Sequence, residues 1–424
     1  MKKISILMLA VIFVVSLTVT VFAAESPVTL RFRWWGGDER HKATLAALDL
    51  YKEKTGVTVE AEPVGWDGYE SKMMTELGAG TAPDILQLDQ PWLLNLIQKD
   101  VFLDLTDNPE IDFSQFDQEF LKLQCVREGK LIGLPTGGNS FRFVVNKNFM
   151  EENGIDLSKN YTWDEWFELG KKIHDANPDN YLMAWDPGEP WKFFDDYIRD
   201  KTGDYIIGDD YTVHASKKDI VEALTYLAMM YETGTSLPVG EVMPFTCVMD
   251  TNPKWLAGEI GGMPDSASKI DIWVAASTFP IWTMNMMVPT DAKNTGAFYR
   301  PSQLYGVPNS SANQEEAIKF INWILTDKEA SLVQGTARGV PIAESAFEAL
   351  KKAGELSDIT VDAMERGIAN QAPAAPAVTG DAEIGQILFD AFENVAINHD
   401  VTTIDSIADE LIRRIQTRLD EMKG

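Results

Sequence analysis

The sequence contains few of the residues on which metal and redox sites depend. Among its 424 residues are two cysteines, Cys125 and Cys247, and four histidines scattered along the chain. No pair of these side chains has the short spacing of a zinc site. We therefore expect no metal and no cofactor. The cysteines are compatible with one disulfide or with two buried free thiols, and the sequence favours neither reading.

Basic residues are also scarce. Lys and Arg together number 37, against 65 Asp and Glu, which gives a formal net charge of −28. Binding to nucleic acid needs clustered positive charge, so the composition argues against that class of partner. The same excess of negative charge disfavours non-specific binding to anionic lipid or polyanionic glycans.

The sequence lacks the signatures of several common catalytic sites. It has no G-x-S-x-G, no H-E-x-x-H and no P-loop pattern. A carboxylate pair that hydrolyses a glycosidic bond has no comparable signature. A secreted carbohydrate-active enzyme is therefore the main alternative from a different class of function.

The first residues have the pattern of an export signal. Met1, Lys2 and Lys3 form a basic start, and residues 4–21 are apolar. Small residues then precede a polar stretch, which favours cleavage near Ala23 over a permanent membrane anchor. We expect residues 1–23 to be a signal peptide and the product to lie outside the cytoplasm. No cysteine lies near the cleavage point, so we expect no lipid anchor.

Residues 28–89 alternate between strand and helix patterns. We predict strands at residues 28–35, 57–62 and 84–88, with helices at 38–54 and 69–77 between them. This order indicates a parallel sheet wound with helices. Ligands of such sheets bind at the carboxyl ends of the strands. The candidate ligand-binding residues at these ends are Trp35, Asp38, Trp66, Asp89 and Trp92.

Two further patterns, one in the first strand and one at residues 162–166, are typical of structural residues. Trp34 points to the opposite face of its strand from Trp35, so we expect it in the core. Thr162 and Glu165 form a capping box at the start of a helix. Trp163 and Trp166 then fall on one apolar stripe of that helix, and we assign them to the core.

Several short motifs along the chain carry a resemblance to a known family. The sequence resembles the extracellular solute-binding proteins of ABC importers, in the large family that takes up oligosaccharides. Each motif alone is weak, but their order and spacing together are specific. The motifs are Ala82-Pro83-Asp84-Ile85, Val145-Asn146-Lys147 with Gly154-Ile155, Thr162 to Glu165, Trp255 to Met263, Glu316 to Phe320, and Gly339-Val340-Pro341.

The resemblance implies an α/β protein with a two-lobed, type II-like periplasmic-binding-protein fold, a hinge and an interlobe cleft. It places residues 24–137 plus 296–339 in lobe 1 and residues 138–295 plus 340–424 in lobe 2. The lobes are expected to close over the ligand by hinge motion. The implied partners are an oligosaccharide and the permease subunits of an ABC transporter, and we expect a monomer.

The resemblance also supports further candidate ligand-binding residues. Maltose-binding proteins place acidic residues near the positions of Asp38 and Asp89, and an acidic-Pro-aromatic step in the cleft that resembles Glu189-Pro190-Trp191. Trp185 lies on the same Trp- and Pro-rich stretch, which we expect to be a surface loop. The remaining candidates are Asp265 after a short strand, Trp282 as a stacking residue, and Tyr299 and Arg300 near the hinge. Arg300 is either a ligand donor or part of an interlobe salt bridge.

We therefore expect a receptor for a carbohydrate, not an enzyme. Twelve Trp residues suit the apolar C–H faces of sugar rings. The strong negative charge favours a neutral oligosaccharide, although Arg142, Arg300 or Arg338 could locally admit a uronic acid. A polyamine or peptide receptor is the second alternative, and a polyamine site would need several carboxylates beside aromatic rings.

Overall fold

The structure is a computed structural model that describes residues 28–187, 190–246, 248–294, 299–369 and 371–423. Of Pro190 and Trp191 it describes the backbone only. The expected signal peptide, Glu189 and Cys247 lie outside the described residues. The strand and helix bounds below therefore refer to this part of the chain.

The described residues contain eleven strands and seventeen α-helices, besides short 3-10 and π segments. The strands are β1 (Thr29–Trp35), β2 (Thr58–Val64), β3 (Ile85–Leu88), β4 (Val126–Arg127), β5 (Lys130–Leu131), β6 (Leu134–Pro135), β7 (Gly138–Asn146), β8 (Gly262–Ser266), β9 (Ile281–Met284), β10 (Tyr299–Pro301) and β11 (Leu304–Gly306). The helices are α1 (Asp38–Thr55), α2 (Tyr69–Ala79), α3 (Leu93–Gln98), α4 (Gln118–Phe120), α5 (Lys147–Glu152), α6 (Trp163–Ala176), α7 (Pro190–Thr202), α8 (Lys217–Glu232), α9 (Val239–Val242), α10 (Pro253–Leu256), α11 (Ile270–Ala276), α12 (Gln314–Thr326), α13 (Lys328–Gln334), α14 (Glu344–Ala353), α15 (Asp358–Ala369), α16 (Ala382–Asn398) and α17 (Ile404–Lys423).

The first sheet has the strand order β2-β1-β3-β11-β6. Strand β1 lies between β2 and β3 and pairs in parallel with both, whereas β11 pairs antiparallel with β3 and β6. The predicted parallel α/β arrangement of residues 28–89 is thus confirmed. Trp34 is fully buried, as the alternation of the strand predicted.

The second sheet is built around β7. Strands β8, β9 and β10 all pair antiparallel with it, and β10 pairs with its first three residues. Helix α6 packs beside this sheet and starts with the predicted capping box of Thr162 and Glu165. Trp163 and Trp166 are buried in the core, as predicted.

The buried apolar side chains form two large clusters and one smaller cluster. One large cluster surrounds the first sheet and the other surrounds α6, α8, α16 and α17. We expected the chain to leave lobe 1 at Gly339. In the structure, Val340, Leu350 and Met364 still belong to the first cluster, and the chain joins the second cluster only from Val378. The reason is that α14 buries Ala346 and Leu350 and packs against α12 and α13.

The chain passes between the two sheets at closely packed glycines. Gly137 and Gly138 connect β6 to β7, and the Gly138 N–H donates to the Val340 carbonyl at 2.7 Å. A Cβ on Gly137 would lie 2.5 Å from the Arg338 carbonyl oxygen, so only glycine fits there. The chain returns through β10 and β11, which gives the expected hinge that is crossed more than once.

The structure bears on two sequence expectations, one about membrane-spanning helices and one about the cysteine thiols. Among the described residues, no helix combines the length and the apolarity needed to cross a bilayer. Cys125 is buried and its thiol is free, whereas Cys247 lies outside the described residues. Burial raises the pKa of the Cys125 thiol well above its ordinary value, against a smaller opposing effect of Arg127.

Candidate functional site

The carboxyl ends of the first sheet bring aromatic side chains together, as expected for parallel strands. Trp35 ends β1, Trp66 follows β2, and Trp92 lies in the turn after β3. Tyr69, the first residue of α2, joins them. We call these four residues the aromatic cluster. The sequence predicts the three Trp residues as ligand-binding candidates but gives no such indication for Tyr69.

The rings of the aromatic cluster contact one another directly. Trp66 and Trp92 are stacked, with ring centroids 5.5 Å apart and planes inclined by 16°. Trp35 meets Trp66 at 5.1 Å and Tyr69 at 4.8 Å in edge-to-face contacts. Trp35 is 8% exposed, whereas Trp66 is 52% exposed. Trp35 therefore supports the cluster, and Trp66 presents its ring to the solvent.

Charged groups lie at the same edge of the sheet. Asp89 accepts the Gln90 N–H at 2.9 Å, and burial raises the pKa of its carboxyl while the positive charge of Arg300 lowers it. Arg300 lies on β10, opposite Asn139 of β7. Partial burial and the neighbouring Asp89 also raise the pKa of Glu70. Strand β10 thus places the Arg300 guanidinium within electrostatic reach of the Asp89 carboxylate. Both roles expected for Arg300, ligand donor and interlobe salt bridge, stay predictions.

Asp38 lies at a different position from these groups. It is the first residue of α1, directly after Gly37, and its side chain is exposed. A carboxylate there also stabilises the positive end of the helix. The structure places Asp38 near the end of β1, as expected, and leaves its proposed role in ligand binding as a prediction.

Two candidate residues of the expected lobe 2 and hinge, Asp265 and Tyr299, contact neighbouring side chains within the fold. Asp265 is 7% exposed; its carboxylate accepts the Trp273 Nε1–H at 2.9 Å and pairs with Lys269 at 3.1 Å. Tyr299 is 2% exposed and packs edge-to-face on Phe120 at 4.9 Å. Both side chains therefore support neighbouring elements.

Another candidate on the second sheet, Trp282, lies away from Asp265 along β7. Trp282 pairs with Val145 of β7, whereas Asp265 pairs with Arg142. Three residues of extended strand correspond to about 10 Å. The Lys147 ammonium lies 5.9 Å from the Trp282 ring centroid, at the end of β7 far from the hinge. That Trp282 stacks on the ligand stays a prediction.

The expectation that Trp185 lies on a surface loop is wrong. Trp185 is 2% exposed and its ring meets Phe193 at 5.3 Å. The backbone beside it is paired on both sides: the Met183 N–H donates to the Thr235 carbonyl and the Ala184 N–H to the Gly262 carbonyl. The segment therefore runs through the interior. Glu189 lies outside the described residues, and for Trp191 only the backbone within α7 is described.

Helix α7 carries a buried row of charges that sequence reasoning missed. Lys192, Asp195, Arg199 and Asp200 are each at most 5% exposed. The Arg199 guanidinium pairs with Asp196 at 3.0 Å and with Asp200 at 3.3 Å. Burial, partly opposed by Arg199, raises the pKa of Asp195 to about 7. A charged stripe on a helix normally indicates a solvated face, so the sequence gives no signal that this one is buried.

Two α/β units joined by a repeatedly crossed hinge, with aromatic and charged side chains at the edge of a parallel sheet, define the class of two-lobed solute-binding proteins. The model of the bacterial extracellular solute-binding protein family matches residues 38–331, and the chain belongs to that family. Its members act outside the cytoplasm.

Solved structures and curated proteins with similar chains agree with this fold. A periplasmic oligogalacturonide-binding protein from Yersinia enterocolitica is 26% identical, with a TM-score of 0.79 over 93% of this chain and 99% of its own. A de novo designed cysteine esterase is 25% identical, with a TM-score of 0.84 over 94% and 99% of the two chains. An arabinooligosaccharide-binding protein from Halalkalibacterium halodurans is 26% identical over 28% of this chain and 26% of its own. The chain covers about half, 45%, of the length of the first curated relatives it matches.

Proposed function

We propose that the protein is an extracytoplasmic receptor that captures a neutral oligosaccharide by lobe closure and delivers it to an ABC permease. The single observation that carries this proposal is the stacked pair of Trp66 and Trp92 beside Asp89 and Arg300. A sugar ring has an apolar C–H face and a polar rim of hydroxyl groups. It suits an aromatic surface flanked by carboxylate and guanidinium groups.

The ligand-binding residues that we propose follow from this geometry. Trp66 and Trp92 contact the sugar ring, Trp35 holds them in place, and Asp89 and Arg300 bind hydroxyl groups. Asp38, Glu189 and Trp191 remain further proposed contacts. In support of a carbohydrate ligand, two of the similar proteins are named as oligosaccharide binders, one for acidic oligogalacturonides and one for arabinooligosaccharides.

The charge of the site favours a neutral sugar over an acidic one. Glu70 and Asp89 lie close enough together for the Asp89 charge to raise the pKa of Glu70. An added carboxylate of a uronic acid would meet two carboxylates and one guanidinium. Because like charges repel more strongly where water is partly excluded, we expect a neutral oligosaccharide to bind more tightly than its acidic counterpart.

An enzymatic role is an alternative, because one of the similar structures is a designed cysteine esterase. The thiol of Cys125 is fully buried, and burial raises its pKa, which is the opposite of an activated nucleophile. The proposed receptor binds the sugar and releases it unchanged. Analysis of the sugar after incubation therefore distinguishes a receptor from a glycosidase.

A receptor for an organic cation is a second candidate function. Glu70 and Asp89 beside the aromatic cluster resemble the acid-and-aromatic lining that binds ammonium groups. The proximity of Arg300 to Asp89 argues against this candidate, because a bound cation would meet a fixed positive charge.

Thermal melting with a panel of ligands tests the proposal. The panel contains neutral oligosaccharides, oligogalacturonides, spermidine and short peptides. A ligand that binds the folded state raises the melting temperature by mass action. We expect a neutral oligosaccharide to give the largest rise and to be recovered intact.

Substitutions locate the binding site in the same assay. We expect Trp66→Ala to abolish most of the rise without lowering the melting temperature of the free protein, because Trp66 is half exposed. Ile397→Ala, at a position 56% exposed on α16, is the matched control and should leave the rise unchanged. A rise with spermidine or peptide alone would overturn the carbohydrate proposal, and cleavage of the sugar would overturn the receptor proposal.

A further inference from the structure

A short hairpin of the second lobe holds a tyrosine in an unusual backbone conformation. Ile207 and Val213 form an antiparallel bridge, and the Gly208 N–H donates to the Thr212 carbonyl at 3.0 Å. Tyr211 has a φ of 64°, in the left-handed region that bulky residues avoid. Such strain persists only where surrounding contacts fix it, and it often marks a functional position.

The hairpin is held in place by two neighbouring elements. Gln416 of α17 donates to the Tyr211 carbonyl at 3.2 Å and accepts the Val213 N–H at 3.1 Å. The Asp209 carboxylate accepts the Ala377 N–H at 2.7 Å, which ties the hairpin to the turn before α16. Hydrogen bonds on both sides of the turn, at Asp209 and at Val213, therefore fix the position of Tyr211.

This hairpin forms one wall of a cavity between the lobes. The cavity has a volume of about 400 Å³. Glu70, Trp92 and Asn95 line it from the first lobe, and Asp209, Tyr211 and Val378 from the second. Its volume lies in the range of about 300–1,000 Å³ that is typical of small-molecule sites. Trp92 belongs to both the cavity and the aromatic cluster, so the two regions are continuous.

The two walls meet at a close contact. The short turn at Ala377–Gly380 packs against Gln90–Trp92, and a Cβ on Gly380 would lie 3.6 Å from the Pro91 Cβ. Because the walls come from different lobes, hinge opening separates them. A ligand in this cavity therefore contacts both lobes at once.

The lining of the cavity fits a polyhydroxylated, uncharged ligand. Trp92 and Tyr211 supply aromatic surface, and the side chains of Glu70, Asn95 and Asp209 supply carboxylate and amide groups for hydroxyl partners. Among the described lining residues none is Lys or Arg, so no basic side chain lines the cavity.

We propose that this cavity is an outer sugar subsite, in which Tyr211 and Trp92 hold the units of an oligosaccharide that extend beyond the aromatic cluster. This inference rests on the proposed carbohydrate-binding function. Tyr211 is then a specificity-determining residue that selects for chain length. The strained backbone directs its ring towards the interlobe space at the expense of local stability.

The test uses a size series of arabinooligosaccharides, from the disaccharide to the pentasaccharide, with oligogalacturonides as the acidic counterpart. Isothermal titration calorimetry measures the affinity of the full chain for each. For the unaltered protein we expect affinity to rise with chain length in the neutral series. For Tyr211→Ala we expect an affinity loss of about tenfold for the longest ligands and none for the shortest. Tyr211→Phe, which keeps the ring, should retain most of the gain with length.

Two controls separate the possible causes of failure. Trp66→Ala should weaken every chain length, because it removes the ring surface at the proposed primary site. Tyr211→Gly should raise the melting temperature of the free protein, because glycine adopts a positive φ without strain. A large fall in melting temperature with Tyr211→Gly would show that the ring packs as part of the core and would overturn the inference.

The binding results also distinguish the two proposals. If neither series binds, the carbohydrate proposal fails for these sugars and the subsite inference fails with it. If sugars bind but Tyr211→Ala weakens all lengths equally, or none, only the subsite inference is overturned. Preferential binding of the acidic series through Tyr211 would contradict the assignment of an uncharged ligand.

Discussion

Replacing Asp195 by Asn should stabilise the protein in a pH-dependent way. Asp195 is 3% exposed, and its Oδ1 atom has no hydrogen-bond partner in the described structure. Burial raises the pKa of this carboxyl to about 7. The charged form is therefore disfavoured in the folded state, and folding loses stability as the pH rises from about 4 to about 7.

The size of the effect follows from this pKa. A rise from about 4 to about 7 corresponds to a penalty of about 4 kcal/mol at pH 8, which falls to about 1.5 kcal/mol at pH 5. Asn carries no charge at either pH, so Asp195→Asn should remove the penalty. The Arg199 guanidinium keeps Asp196 and Asp200 as partners, so the substitution leaves no isolated buried cation.

Urea unfolding at pH 8 and at pH 5 measures the change. We expect Asp195→Asn to raise the free energy of unfolding by about 4 kcal/mol at pH 8 and by about 1.5 kcal/mol at pH 5. Asp175→Asn is the control, because that carboxylate is exposed and its pair with Lys171 is a surface pair worth about 0–1 kcal/mol. Equal gains for Asp195→Asn at the two pH values, or a loss at pH 8, would refute the reasoning.

Three further predictions concern the stability of the fold. Arg33→Met should lower the free energy of unfolding in urea by about 3–5 kcal/mol, because Arg33 is 3% exposed and pairs with two glutamates. Arg31→Met is the control and should lower it by less than about 1 kcal/mol, because the Arg31 side chain is 40% exposed. The melting temperature should be the same with and without a thiol reductant, since Cys125 is a free thiol; a fall on reduction would reveal a disulfide. Partial burial lowers the pKa of His214, but Asp204 and Asp210 raise it by more, so the net shift is upward. The protonated imidazole therefore stabilises the fold fully below about pH 6.5, and this stabilisation is lost as the pH rises through the raised pKa. His214→Asn should therefore lower the melting temperature more at about pH 5.5 than at about pH 8.5, and an equal effect at both would contradict this.

The edge of the first sheet was predictable from sequence for a physical reason. The strand and helix patterns of residues 28–89 are local, and short connections leave few ways to arrange them. Parallel strands end at one edge, so Trp35, Trp66 and Trp92 had to meet there. The strand alternation that separates Trp34 from Trp35 is equally local.

The parts that were not predictable depend on distant segments of the chain. Trp185 is buried because residues near positions 235 and 262 pair with the backbone on either side of it. Helix α14 packs with α12 and α13 although it follows the expected lobe boundary. Tyr211 lies in a Gly-Asp-Asp turn that indicates a hairpin, but no local pattern places a tyrosine at a positive φ or opposite Trp92.

A crystal structure with a bound sugar would show directly where the ligand lies. The ligand for crystallisation is the oligosaccharide that raises the melting temperature most. We expect a sugar ring against Trp66 or Trp92, with hydroxyl groups bonded to Asp89 or Arg300 and both lobes in contact with the ligand. A sugar bound elsewhere, with the aromatic cluster still exposed to solvent, would contradict this expectation.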